Sequence, residues 1–271
     1  MTTPHTTLAE VFARARSQDR AALIGYLPAG FPDRETSIAL IGAMVDAGVD
    51  IVEVGLPYSD PLMDGPVIAA AADQALAAGT TTDDVLAVIG ATAATGAATV
   101  VMSYWNPIER FGVDRFAERL ANAGGTGAIT PDLTPEEAGP WREATTAHDL
   151  DRIFLVAPSS TPERIATVVG ACSGFVYAAS VMGGTGARTT VSGAAEGLVA
   201  RVREATDLPV AVGLGVSTGD QAASIAQYAD GVIVGSAFIR AVQEAPDRRS
   251  AVAAVSTLAG ELAAGVRRRT G

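Results

Sequence analysis

Lysine is absent from this chain: all nineteen basic residues are arginine. Schiff-base chemistry, a pyridoxal-phosphate anchor and a Walker-type phosphate lysine need that amine, so all three are excluded. Histidine is almost as scarce, with His5 in the N-terminal tail and His148 near the end of a predicted helix. A histidine-based metal site or a Ser-His-Asp triad has almost nothing to be built from. The one cysteine, Cys172, cannot form a disulfide framework within the chain. Aromatic residues are only 5% of a sequence that is 48% hydrophobic, which calls for a core of aliphatic layers. The segment Met1–Gln18 carries no apolar signal core, and no run is long enough to cross a bilayer; a soluble cytoplasmic protein is expected. Positive charge is in deficit as well. A net charge of −11 repels nucleic acid and acidic membrane surfaces at long range, so neither is expected as a partner. Any acid–base chemistry must rest on carboxylates, tyrosines and backbone groups.

What the chain does have is alternation. Short β-branched runs predict strands at Ala21–Leu27, Ile51–Gly55, Thr99–Tyr104, Gly127–Thr130, Arg152–Val156, Phe175–Ala179, Val210–Gly213 and Val232–Gly235. Helical patterns separate them, with Val67–Ala78 and Thr82–Ala94 sharing one gap and Pro135–Ala147 filling another. A helix is predicted ahead of the first strand (Thr7–Ser17) and another at the end (Ser250–Arg267). No linker or composition shift interrupts the pattern, so 1–271 reads as one domain. Eight βα units with right-handed crossovers favour a (β/α)8 TIM barrel with an extra N-terminal helix and inserted helices. An open doubly wound sheet would be favoured by an early G-x-G-x-x-G, and "YLPAGFPD" is not that motif.

Within this frame one stretch stands out, "VEVGLPYSDPLMDGP" at Val52–Pro66. Glu53 lies inside an apolar strand, and Asp64 follows in the loop beyond it. A buried acid is usually paired, and an arginine from a neighbouring element would neutralise Glu53. Against that stands the position, because a barrel carries its chemistry at the C-terminal ends of its strands. Glycines gather at the same end. "VMGGTGAR" (Val181–Arg188) follows the sixth predicted strand, "GLGVS" (Gly213–Ser217) the seventh and Gly235–Ser236 the eighth. One such cluster is ordinary turn chemistry. The conjunction after the last two strands is where barrels build phosphate sites from backbone N–H groups, without needing a basic side chain.

These residues resemble the tryptophan synthase alpha chain family. The likeness runs through "GYLPAGFPD" (Gly25–Asp33), "VEVGLPYSDPLMDGP", "MSYWNPIERFG" (Met102–Gly112), "PDLTPEEA" (Pro131–Ala138) and "FLVAPSSTPERI" (Phe154–Ile165). It continues through "GGTGAR" (Gly183–Arg188), "VGLGVS" (Val212–Ser217) and "GVIVGSA" (Gly231–Ala237), in family order. It implies cleavage of indole-3-glycerol phosphate to indole and glyceraldehyde 3-phosphate. Glu53 and Asp64 take the catalytic acids' places, and Tyr177 matches a tyrosine near the substrate. Gly213, Gly215, Gly235 and Ser236, with the loop Gly183, Gly184, Thr185 and Gly186, match the substrate and phosphate contacts. No cofactor or metal is implied in this chain; pyridoxal phosphate belongs to a beta-chain partner, expected in an α2β2 heterotetramer. Pro57, Asp60 and Asn106 match the partner face. The loop departs from the family in reading Gly183-Gly184-Thr185 where Gly-Val-Thr is commoner, and "SSTP" replaces a slightly different arrangement. Glycine-rich Val181–Arg188 is expected to act as a lid. Alternatives are a stand-alone indole-releasing lyase and a non-catalytic regulatory subunit. Indole-glycerol-phosphate synthase, as a rival barrel, is disfavoured by the missing lysine.

Overall fold

In a computed structural model, residues 6–180 and 188–269 are described. Every strand is short and enters a single parallel sheet. In chain order the strands are β1 (Ala22–Pro28), β2 (Ile51–Gly55), β3 (Ala98–Met102), β4 (Gly127–Ile129), β5 (Asp151–Ile153), β6 (Leu155–Val156), β7 (Val176–Ala179), β8 (Val210–Gly213) and β9 (Gly231–Val234). Their order in the sheet is β5-β4-β3-β2-β1-β9-β8-β7-β6. The two ends of that list, β5 and β6, together span the single predicted run Arg152–Val156 with Asp151 added before it, and are parted only at Phe154. β5 pairs with β4 and β6 with β7, while the Phe154 carbonyl accepts from the Tyr177 N–H at 3.2 Å. The sheet therefore closes into a ring of eight staves, the expected barrel.

Period-two alternation divides the strand residues between two cores. Ile24, Ile51, Val100, Ile129, Ile153, Phe175 and Ile233 fill the lumen, whereas Leu23, Val52, Val54, Val101 and Val232 pack outward against the helices. The N-terminal helix, Leu8–Ser17, begins with a capping box in which Thr7 and Glu10 satisfy each other's backbone N–H groups. It inserts Leu8, Val11, Phe12 and Ala15 into the lumen cluster, with Phe12 5.7 Å from Phe175. That plug seals the N-terminal mouth, so the lumen opens only where the strands end.

Several helices differ from expectation, among them the one expected at Ala194–Ala205, which runs from Arg188 to Arg203. The helix predicted from Pro135 starts at Gly139, because Pro140 is tolerated only in a first turn. A helix at Trp105–Phe111 and another at Ser236–Gln243 lie where the sequence pattern was too short to show a helical period. Among the described residues no helix is long and apolar enough to cross a membrane.

Candidate active site

Glu53 is the middle residue of β2, in register with Tyr26 of β1 and Val100 of β3. Like Ile51 two residues before it, it faces the lumen. Val52 and Val54 pack outward, so they are not the apolar neighbours that the linear sequence suggested. Its real surroundings are the lumen side chains, including Tyr26 and Tyr177, whose hydroxyls are pushed up first by burial and then by the charges of the nearby acids. Glu53 is 1% exposed, and its Oε1 has no hydrogen-bond partner. Burial alone pushes its carboxyl up from the ordinary 4.5 to about 8. At neutral pH it is mostly protonated.

The neutralising arginine does exist, but it goes elsewhere. Arg20 makes a bidentate pair with Asp50, at 2.7 and 2.8 Å, and Asp50 also accepts from the Leu23 N–H at 2.9 Å. Asp50 precedes β2, so this pair fastens the closed end of the barrel. Glu53, three residues on at the open end, has no ion pair with any described residue.

Asp64 sits on the loop after β2 and lines the same cavity as Glu53. Desolvation raises its carboxyl pKa, while a hydrogen bond from the Tyr104 hydroxyl works against the rise. That hydroxyl donates to Asp64 Oδ1 at 3.2 Å and accepts from the Met63 N–H at 3.0 Å. Burial and the Asp64 charge push Tyr104 itself up to about 12, so it remains a donor. Neither Tyr26 nor Tyr104 was singled out from the sequence. The available signal for Tyr26 was a glycine, since the Tyr26 hydroxyl occupies the space a side chain at Gly55 would need.

The cavity measures about 660 Å³. Glu53 and Asp64 line it together with Tyr177, Gly213, Gly215, Gly235 and Ser236, so all of these predicted residues converge. Their glycines serve different ends. A Cβ at Gly213 would lie 2.6 Å from the Tyr177 hydroxyl, so its bareness makes room for that ring. Gly215 has φ +68°, a left-handed conformation that keeps its backbone open to the cavity. Gly235 is the N-cap of Ser236–Gln243, and no side chain caps that helix. First-turn N–H groups lack intrahelical acceptors, so an anion can satisfy them. The predicted contacts Gly183, Gly184, Thr185 and Gly186, and with them the lid expected at Val181–Arg188, lie outside the described residues but for Arg188, which opens the next helix.

Of the predicted partner face, Asp60 and Asn106 are exposed, and Asn106 Nδ2 donates to the Tyr58 hydroxyl at 3.3 Å. Pro57 is buried and shapes the loop from within. Beside them Leu62 and Met63 are 86% and 54% exposed, two large apolar side chains that also line the cavity holding Glu53 and Asp64. Among the described residues no group of His, Cys, Asp or Glu side chains is arranged to hold a metal ion.

A family model described as "Tryptophan synthase alpha chain" matches residues 12–267. The tryptophan synthase alpha chain of Acidothermus cellulolyticus is 63% identical, over 97% of this chain and 98% of its own. That of Thermobifida fusca is 60% identical, over 97% and 98%. A solved tryptophan synthase structure from Mycobacterium tuberculosis superposes with a TM-score of 0.90 at 55% identity, covering 97% of this chain and 99% of that one. The tryptophan synthase subunit alpha of Legionella pneumophila superposes at 0.86 with 30% identity, over 96% and 97%.

Proposed function

The chain belongs to the tryptophan synthase alpha chain family and cleaves indole-3-glycerol phosphate in tryptophan biosynthesis; within that reaction we propose that Glu53 moves the protons and Asp64 stabilises the charge on the ring. Breaking the bond between indole C3 and the glycerol chain requires a proton on C3 and the loss of one from the adjacent hydroxyl. Protonated Glu53 gives its proton to C3, making the ring an indoleninium. As a carboxylate it then takes the hydroxyl proton. The C–C bonding pair returns to the ring as indole leaves, and the former carbinol becomes the aldehyde of glyceraldehyde 3-phosphate. Glu53 ends in the state in which it began, so one carboxyl with a pKa near neutrality serves both steps. Asp64 accepts the indole N–H and is stabilising while the ring is positive. The phosphate lies against the backbone of Gly215 and Gly235 and the first turn after Ser236.

The observation that carries this assignment is the buried Glu53 Oε1 without a partner, at the open end of a barrel whose nearby arginine is committed to Asp50. A structural salt bridge would have used that arginine. Glu53→Gln keeps the shape and removes the titrating proton, so indole release should fall at least ~10²-fold. Release within tenfold of the parent would sink the assignment.

The family membership supports a tryptophan synthase beta chain as partner, with pyridoxal phosphate held there, in a cytoplasmic α2β2 assembly. Exposed Leu62 and Met63, with Asp60 and Asn106 at their side, supply the surface for it. Added beta chain should raise the cleavage rate.

A further inference from the structure

We propose that Arg240 is the side-chain counter-charge for the substrate phosphate, holding it from the helix whose first turn supplies the backbone contacts. The proposal rests on the reading above that the phosphate lies at Gly215, Gly235 and Ser236.

Three charged side chains line the cavity among the described residues: Glu53, Asp64 and Arg240. Two are acids at the reacting end. Arg240 is the only cation, in a protein of net charge −11 entering reaction with a phosphate ester. It sits one turn into Ser236–Gln243, four residues beyond Ser236 and so on the same face of the helix. Helical side chains lean back toward the N-terminus, which carries this guanidinium over the turn that Gly235 and Ser236 begin. Helix dipole, free amides and guanidinium then act on one anion.

The bland reading of Arg240 is a solvated charge on an exposed helix face. Several other arginines are visibly engaged: Arg20 with Asp50, Arg203 with Asp230, Arg201 with the carbonyls of Pro158 and Ser160. Arg240 makes no ion pair or side-chain hydrogen bond with a described residue. Glu244, one helical turn on, is exposed, but an arginine that precedes its acid by four residues has the weaker orientation for pairing. The guanidinium is therefore uncommitted and borders the cavity that receives the phosphate.

The test compares the intact chain with its Arg240→Ala, Arg240→Lys and Gly215→Val variants, measuring kcat, KM and competitive inhibition by inorganic phosphate at low and high salt. For Arg240→Ala the loss should fall on KM and on the phosphate inhibition constant, both rising about two- to fivefold at low salt. Turnover at saturation should change little by comparison. Because an exposed charge is screened, the gap should narrow at about 1 M salt, and Arg240→Lys should recover most of the affinity. A merely structural arginine would give neither the salt dependence nor the rescue. If Arg240→Ala binds phosphate and substrate as the parent does while Gly215→Val loses both, the Arg240 proposal is wrong and the backbone cradle stands. If Gly215→Val leaves phosphate inhibition intact, the cradle itself is misplaced, and the proposal falls with it.

Discussion

Replacing Glu53 with Gln should make the protein increasingly more stable than the parent as pH rises, even as it lowers turnover at least ~10²-fold. Below the ordinary carboxyl pKa of 4.5, folded and unfolded chains both carry the Glu53 proton, and pH has no leverage through this group. Between 4.5 and about 8 the unfolded chain releases that proton while the folded chain keeps it, so folding becomes less favourable with each pH unit. Above about 8 the folded chain loses it too, and the whole penalty of a buried carboxylate is present. At 1.36 kcal/mol per unit, a shift from 4.5 to about 8 corresponds to a penalty on the order of 4–5 kcal/mol, mostly developed by pH 8. Glutamine carries none of it. Its amide also enters a site where Oε1 already lacks a partner, and that mismatch costs about 1–3 kcal/mol. The mismatch does not depend on pH, and every other titrating group is common to both proteins. The informative quantity is thus the difference in unfolding free energy, variant minus parent, followed from pH 5 to pH 8.5 by urea denaturation. It should climb by about 3–4 kcal/mol in favour of Gln, whatever its value at pH 5. A difference that stays flat within about 1 kcal/mol would mean that Glu53 is not held protonated by the fold, and the proton-transfer reading would lose its physical basis.

Asp64→Asn should cripple cleavage while leaving thermal stability nearly unchanged, because Asp64 lies on a loop and its one described side-chain partner is the Tyr104 hydroxyl; a large drop in melting temperature would favour a structural role. Asp50→Ala should behave in the opposite way. It strands a buried Arg20 guanidinium and should cost about 3–5 kcal/mol, with cleavage per folded molecule retained, and an inactive but fully stable variant would contradict the division of labour between Asp50, which holds the closed end, and Glu53. Gly213→Ala drives a methyl against the Tyr177 hydroxyl and should lower both stability and turnover, by about 1–3 kcal/mol in the former. Adding Tyr177→Phe should restore part of that stability, and strictly additive effects in the double mutant would show that the two residues do not collide.

The sequence was legible wherever a local period carried the information. β-branched runs announced every stave, and the barrel followed from their number and alternation. Glu53 was conspicuous because an acid breaks a short apolar strand, although only the fold shows that it shares the lumen with Ile51 while Val52 and Val54 pack outward. What the sequence did not show depends on contacts between distant residues. Arg20 could have paired with Asp50 or with Glu53, and only the folded register decides which. Tyr26 reads as an ordinary core aromatic until β1 is laid beside β2 and its hydroxyl meets Gly55. Tyr104 likewise reaches Asp64 and Met63 across forty and forty-one positions of chain. Arg240 escaped notice because its helix of eight residues is too short to show a face in the sequence.

The two acids also differ in what holds them. Glu53 belongs to a strand paired on both sides, with lumen side chains around it and the N-terminal helix sealing the end below. Its raised pKa is a property of the barrel, present whether or not anything docks outside. Asp64 is carried by a loop whose side chains Leu62 and Met63 are exposed at the cavity, and its tether is the single hydroxyl of Tyr104. The same hydroxyl takes the Met63 N–H, so the backbone of an exposed apolar residue and the Asp64 carboxylate share one atom. A partner that covers Leu62 and Met63 would reach Asp64 through the shared Tyr104 hydroxyl, a shorter path than any to the strand that holds Glu53. Proton supply is built into the fold. The group that stabilises charge on the ring sits where a partner can adjust it, which is where a two-subunit enzyme gains by placing its control.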